Sequence, residues 1–155
     1  MESDRRTGST SRERWRTAFR YLLLLGWMAL IFRLSATPDL RTVPLAQRFH
    51  LLPAVLGVEM TNLLEFVLRK AAHMAAFGVL AWLSLSAFAA TFPAWPWRRL
   101  LALAFCFTVL YAASDEWHQT FVPTRQGSLR DVAIDASGAL IALMLLQIRR
   151  RVSAK

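Results

Sequence analysis

The residues from Ser114 to Gly138 constrain this chain most, because they concentrate ionisable side chains between two apolar segments. The polar side chains in this stretch are Asp115, Glu116, His118, Gln119, Arg125, Arg130, Asp131 and Asp135. The run LLALAFCFTVLYAAS precedes them and ALIALMLLQI follows them. Charged groups beside a bilayer are costly and usually have a structural or functional role there. We therefore expect the other segments to bring their own polar groups to the same place.

The composition indicates a membrane protein of one domain. Of the 155 residues, 55% are hydrophobic and only 19% are charged, and the apolar residues form long blocks that are unusual in a soluble domain. The net charge of +9 lies mainly at the chain ends and in one turn, which argues against a nucleic-acid-binding face. The single cysteine, Cys106, excludes a disulfide within the chain.

The pattern of apolar blocks predicts an all-α fold, a four-helix transmembrane bundle without strands. We divide the chain into a basic tail, residues 1–14, which should be disordered, and a transmembrane domain, residues 15–151. The predicted helices cover residues 15–34, 63–90, 97–121 and 129–151, and residues 39–61 should be an irregular connection. The first helix also resembles a signal peptide, but Leu34 occupies a position where cleavage needs a small residue, so we expect a retained anchor.

Polar residues with the correct spacing predict where two helices begin. Asn62 with Glu65 three residues later predicts the N-cap of the second helix. Ser128 with Asp131 predicts a capping box at the start of the fourth helix.

The distribution of basic residues predicts how the bundle is oriented. Most lysines and arginines lie in the two termini and the 91–99 turn, so both termini should be cytoplasmic and the Ser114–Gly138 stretch should face outward. Spans of about 20 residues place polar groups of all four helices at the outer leaflet. Because such groups are costly against lipid, we expect them to face one another.

Three predicted helices carry polar residues on one face at this outward end. The three stripes, with spacings of three, four or seven residues, are Lys70, His73 and Phe77; Asp115, His118 and Gln119; and Asp131, Asp135 and Gly138. This convergence predicts one shared site.

We consider three hypotheses for that site. The first is a pocket for an anionic, lipid-linked cell-envelope compound, in which cations bind phosphate or carboxylate and a histidine acts as acid or base. Its candidate catalytic residues are His118, Glu116, Asp115 and His73, and its candidate substrate-binding residues are Lys70, Arg33, Arg125, Gln119, Asp131 and Asp135. The second hypothesis is non-enzymatic binding of such a compound or of a partner protein.

The third hypothesis is a divalent metal ion, with His73, His118, Asp115, Glu116 and Asp135 as ligands. The sequence assigns no cofactor. A purely structural interpretation also stays open: Asp131 caps its helix, and Asp115 and Glu116 pair with Arg33 and Lys70.

Four segments resemble the VanZ-like membrane protein family over about residues 30–140. They are SATPDL, KAAHMAAFGVL, SDEWHQTFVPTRQGSLRD and DASGA. The resemblance implies a small multi-pass protein of the bacterial cytoplasmic membrane, in a family whose founding member is associated with teicoplanin resistance. It implies no reaction. This chain departs from the family pattern at Asp135, where asparagine is expected.

Overall fold

The computed structural model describes residues 2–36, 58–123 and 127–153, which form four long helices and contain no strand. The helices are α1 (Glu2–Ser35), α2 (Val58–Thr91), α3 (Trp97–Gln119) and α4 (Leu129–Ser153). Each contains a segment that is long and apolar enough to cross a membrane. The predicted all-α, four-helix architecture is confirmed, and the orientation of the termini stays a prediction.

Two helices begin earlier than the sequence predicts. Helix α1 begins at Glu2, so residues 2–14, for which the composition predicts disorder, are helical. Arginine and glutamate are good helix formers, and extending an existing helix is easier than starting one. Helix α2 begins at Val58, so Asn62 lies inside the helix, and its prediction as an N-cap is wrong. Most of the predicted irregular connection, residues 39–57, lies outside the described residues.

Helix α2 is longer than the hydrocarbon core of a bilayer is thick. Its 34 residues give a helix of about 51 Å, whereas a bilayer core is about 30 Å thick. At its other end, Pro93 and Pro96 separate α2 from α3, as the sequence predicts. The carbonyl oxygen of Pro96 accepts hydrogen bonds from the backbone N–H groups of Arg99 and Leu100, which begins α3.

Helices α2, α3 and α4 pack around a common interior, and α1 packs mainly against α2. Phe77 and Leu80 of α2 are fully buried in this interior, beside Leu24 and Ile31 of α1. Many other large apolar side chains of α1, such as Leu22 and Leu25, are exposed, as expected for a helix that faces lipid on part of its surface.

Helices α2 and α4 touch backbone to backbone near Gly138. A Cβ atom at Gly138 would overlap the carbonyl group of Met74, and one at Gly78 would lie 3.3 Å from the carbonyl oxygen of Gly138. Small residues permit such close approach between membrane helices. This contact brings the neighbouring residues His73 and Asp135 close together.

Candidate functional site

Helices α2, α3 and α4 enclose a small polar cavity near the end of α3 and the start of α4. Its lining residues are Arg69, Lys70, His73, Glu116, Gln119, Asp131, Ile134 and Asp135. The cavity volume is about 10 Å³, which is room for about one water molecule. Any larger ligand therefore has to bind at the mouth of the cavity.

An ion pair between α2 and α4 lies in the cavity wall. The Nζ atom of Lys70 is 2.5 Å from Oδ1 of Asp131, and the two side chains are 21% and 22% exposed. This partial exposure leaves the pair accessible from the aqueous side. Asp131 is therefore engaged with another helix rather than with the start of its own.

The beginning of α4 is held by α3 instead. The hydroxyl group of Ser128 accepts a hydrogen bond from the backbone N–H of Arg130, at 3.2 Å, so Ser128 caps the helix as predicted. The second half of the predicted capping box is wrong, because the backbone N–H of Ser128 donates to Oε2 of Glu116, at 2.9 Å. Gly127 permits this approach, since a Cβ atom there would overlap the carbonyl oxygen of Glu116.

A continuous row of hydrogen bonds connects α1 with α4 through the end of α3. The hydroxyl group of Ser35 donates to Oδ2 of Asp115, at 2.7 Å. The side-chain amide of Gln119 donates to the same oxygen, at 3.0 Å, and to Oε1 of Glu116, at 3.1 Å. We call Ser35, Asp115, Gln119, Glu116 and Ser128 the polar row.

The polar row gives Asp115 a structural position. Asp115 is 2% exposed, is bound by Ser35 of α1 and does not line the cavity. Its Oδ1 atom has no hydrogen-bond partner within the described parts of the chain. Asp115 therefore faces α1, and the structure does not bring it to the cavity as a catalytic group.

Asp135 is one of the most deeply buried residues of the cavity wall and lies beside His73. Asp135 is only 1% exposed, and its Oδ1 atom lies 3.8 Å from Nδ1 of His73. This distance allows electrostatic interaction but is too long for a hydrogen bond. Oδ2 of Asp135 has no hydrogen-bond partner among the residues that the structure describes. The imidazole of His73 is 32% exposed, so this residue connects the buried carboxylate with the cavity mouth.

His118, which was predicted to be part of the shared site, lies outside the polar cavity. Its ring stacks on Phe32 of α1, with 4.2 Å between the ring centroids, and it does not line the cavity. The physical reason is helix geometry: residues two apart, such as Glu116 and His118, point about 160° away from each other. Glu116 faces α4, and His118 faces α1.

The two predicted arginines are not part of the described cavity, and one unpredicted arginine is. Arg33 is exposed on α1 and does not line the cavity, and Arg125 lies outside the described residues. Arg69 lines the cavity beside Lys70. The signal for Arg69 was present in the sequence, because it precedes His73 by four residues and so shares its helix face.

The metal-binding hypothesis finds no support in the geometry. Among residues 2–36, 58–123 and 127–153, no group of three or more His, Cys, Asp or Glu side chains could hold a metal ion. The five proposed ligands are divided between the cavity, where His73, Glu116 and Asp135 lie, and the α1 side, where Asp115 and His118 lie.

The comparisons with known proteins agree with the resemblance in the sequence motifs. No curated protein and no solved structure matches the chain. The model of one family, described as VanZ/LLP1, matches residues 19–150, which include all of α2 and α3, parts of α1 and α4, and every residue of the cavity wall. The chain therefore belongs to the VanZ/LLP1 family, as a membrane protein with four helices able to span the bilayer.

Proposed function

We propose that this protein binds an anionic, lipid-linked cell-envelope compound, with the charged group of the compound at the mouth of the polar cavity. The observation that carries this proposal is the Lys70–Asp131 ion pair. It puts a partly exposed cation in a cavity wall, towards one end of two helices that each contain a long apolar segment. The charged group of a lipid lies at this level of the membrane, while its hydrocarbon chain remains in the bilayer.

The charge of the cavity wall favours an anionic group at the mouth and disfavours one inside. Arg69 and Lys70 supply two adjacent cations, whereas Glu116, Asp131 and Asp135 supply carboxylates along the wall. A phosphate can accept hydrogen bonds from Lys70 and Arg69 while its remaining oxygens stay in water. It competes with Asp131 for Lys70, so binding should weaken the interhelical ion pair.

His73 is the candidate acid or base of the site. It lines the cavity, is partly exposed and has the buried carboxylate of Asp135 beside it. An acidic side chain beside an imidazole interacts with it electrostatically, and histidines that transfer protons often have such a neighbour. A compound bound by Lys70 and Arg69 would lie within reach of His73, because Lys70 and His73 are one helical turn apart.

Binding without turnover is the second candidate function. Glu116 accepts hydrogen bonds from Gln119 and from the start of α4, and Asp115 accepts one from α1. These two predicted catalytic carboxylates already hold helices together, which leaves His73 and Asp135 as the candidates for chemistry among the described residues of the cavity wall. Conversion of bound compound by wild-type protein, lost in His73→Ala with binding retained, would favour the enzymatic function.

The proposal is tested with a polyprenyl phosphate as probe and the uncharged polyprenol as its control, both in detergent micelles. One charge-assisted hydrogen bond contributes about 1.5–3 kcal/mol, so Lys70→Gln should weaken phosphate binding by about 10- to 100-fold. Lys70→Arg should retain most of the affinity. Arg130→Gln, an exposed cation of α4 that does not line the cavity, is the matched control and should bind normally.

Equal binding of polyprenol and polyprenyl phosphate would contradict the proposal, as would equal effects of Lys70→Gln and Arg130→Gln. If helical circular dichroism shows that Lys70→Gln does not fold, the binding test uses Lys70→Arg and Arg69→Gln instead. Lys70→Arg keeps a cation at the mouth of the cavity, and Arg69→Gln leaves the ion pair intact.

We propose further that the site faces outward in a bacterial cytoplasmic membrane. The excess of basic residues at the termini supports this orientation. A protein that binds a lipid-linked precursor there would compete with an antibiotic that recognises the same precursor, which offers a physical route to teicoplanin resistance. Expression of wild-type protein should then raise the inhibitory concentration of teicoplanin, and expression of Lys70→Gln should not.

A further inference from the structure

A second and much larger cavity lies along α2 and α4, on the side of the Gly138 contact away from the polar cavity. Its volume is about 600 Å³, within the usual range for a ligand site. Its wall is apolar, with Met74, Gly78 and Trp82 from α2 and Ile141 and Leu145 from α4. We call it the α2–α4 groove.

The length of the groove matches one leaflet of a bilayer. On α4 its wall runs from Gly138 to Arg149, which corresponds to about 16 Å along the helix. Half of a hydrocarbon core is about 15 Å thick. A single acyl chain lying parallel to α4 would therefore fill the groove from one end to the other.

The end of the groove carries a cation. Arg149 is the one charged residue in the wall, and it is exposed. Within the described ranges, no carboxylate lies within ion-pair distance of its guanidinium group. The next residue, Arg150, lies instead over the ring of Trp97, at 4.2 Å from its centroid. Arg149 is thus an available cation at the level where the headgroup of a lipid would lie if the acyl chain of that lipid occupied the groove.

We propose that the α2–α4 groove and Arg149 form a binding site for one anionic phospholipid of the leaflet on the side of the chain termini. One acyl chain lies in the groove, and the phosphate group accepts hydrogen bonds from Arg149. Basic side chains between membrane helices on the cytoplasmic side commonly bind anionic headgroups. This site is separate from the polar cavity, because it extends from Gly138 toward the C-terminal end of α4 and shares none of the lining residues of the cavity.

Charge favours a lipid over a protein helix as the occupant. An apolar helix seated there would cover Arg149 without supplying a counter-charge, which is unfavourable. An anionic phospholipid supplies both the narrow chain and the negative group.

The test is native mass spectrometry of the purified full-length chain with phosphatidylglycerol or phosphatidylcholine added separately. Wild-type protein should retain phosphatidylglycerol in preference to phosphatidylcholine. Arg149→Gln should reduce the bound phosphatidylglycerol about ten-fold, to the level of phosphatidylcholine, and Arg149→Lys should restore part of the preference. Arg151→Gln, which removes a nearby basic residue outside the groove, should behave as wild type.

A substitution that fills the groove tests where the acyl chain binds, independently of the charge of Arg149. Ala75 is exposed and lines the groove, so Ala75→Trp should reduce binding of both lipids. Ala102→Trp places the same side chain on an exposed position of α3 outside the groove and should change neither. Equal effects of Arg149→Gln and Arg151→Gln would overturn the proposal in favour of diffuse surface charge. A dimer that Ala75→Trp dissociates would overturn it in favour of a second copy of the chain.

Discussion

Replacing Ser35 by alanine should loosen α1 from the rest of the bundle. Ser35 is buried, and its hydroxyl group donates to Asp115, which lies 80 residues away in the chain. The change removes this hydrogen bond and leaves a small space in its place. Asp115 then keeps only the hydrogen bond from Gln119 among its described contacts.

The expected loss follows from the geometry of the bond. Hydrogen bonds to charged groups contribute about 1.5–3 kcal/mol in proteins, whereas those between membrane helices average about 0.6 and reach about 1.7 kcal/mol. The Ser35–Asp115 bond is short and buried and joins two helices, which places it at the upper end of the membrane range. We therefore expect Ser35→Ala to lower the free energy of unfolding by about 1.5 kcal/mol, or roughly ten-fold in the equilibrium constant.

The assay is reversible unfolding in mixed micelles by increasing the fraction of sodium dodecyl sulfate, followed by helical circular dichroism. Ser114→Ala is the matched control, because the Ser114 hydroxyl is exposed and donates only to the carbonyl oxygen of Tyr111 in its own helix. It should change the free energy of unfolding by less than about 0.5 kcal/mol.

A double-mutant cycle separates the bond from other effects of the substitution. In an Asp115→Asn background the Ser35→Ala change should cost much less than in wild type, because the charged acceptor is gone. The reasoning is refuted if Ser35→Ala and Ser114→Ala have equal effects, or if the cost of Ser35→Ala is the same in both backgrounds. Either result would mean that Asp115 does not hold α1 through Ser35.

Three further predictions concern the polar cavity and the helix contact beside it. Gly138→Val should disrupt the contact of α4 with α2 and lower the free energy of unfolding by about 3 kcal/mol or more in the same assay. The reason is that the valine side chain would meet backbone rather than a movable side chain. Ser137→Val, at the neighbouring position, should lower the free energy of unfolding clearly less. The double variant Lys70→Asp with Asp131→Lys exchanges the two charges and should be more stable than either single variant. Its binding of the polyprenyl phosphate should remain weak. Full recovery of binding would contradict a specific role for the cation on α2. His73→Ala should abolish any conversion of bound compound, whereas His118→Ala should leave it intact, and the opposite order would refute the assignment of His73 as acid or base.

The architecture of this chain could be predicted from its sequence because its signals are long and repeated. Four apolar blocks separated by prolines and charged turns leave few alternatives to four membrane helices. The convergence of α2 and α4 was also predictable, since Lys70 and His73 share one helix face and Asp131 and Asp135 share another. The structure places these four residues in one cavity wall.

The neighbours of α3 were harder to predict, because polar residues that are close together in the sequence of a helix point in several directions. Asp115, Glu116, His118 and Gln119 together span about 160° of α3, so they cannot all face one site. The sequence shows that the cluster is polar but not which helix lies opposite each member. Glu116 and Gln119 meet α2 and α4, while Asp115 and His118 meet α1.

The contribution of α1 could not be predicted for a related reason. Its charged residue at this level, Arg33, is the obvious candidate, but the buried contact is made by Ser35 two residues later. A single serine at the end of an apolar helix carries almost no sequence signal. Only the position of α1 against α3 reveals that its hydroxyl group meets a carboxylate.

The polar row also sets how the protein can respond to membranes of different thickness. Ser35, Asp115, Glu116 and Ser128 hold the ends of α1, α3 and α4 at one height, and sliding a helix by one turn, about 5.4 Å, would break these bonds. Individual helices therefore cannot adjust their depth independently. In a thinner bilayer the bundle has to tilt as a unit, and in a thicker bilayer the lipid around the bundle has to become thinner. Both responses keep the cavity mouth at a constant level relative to the lipid headgroups.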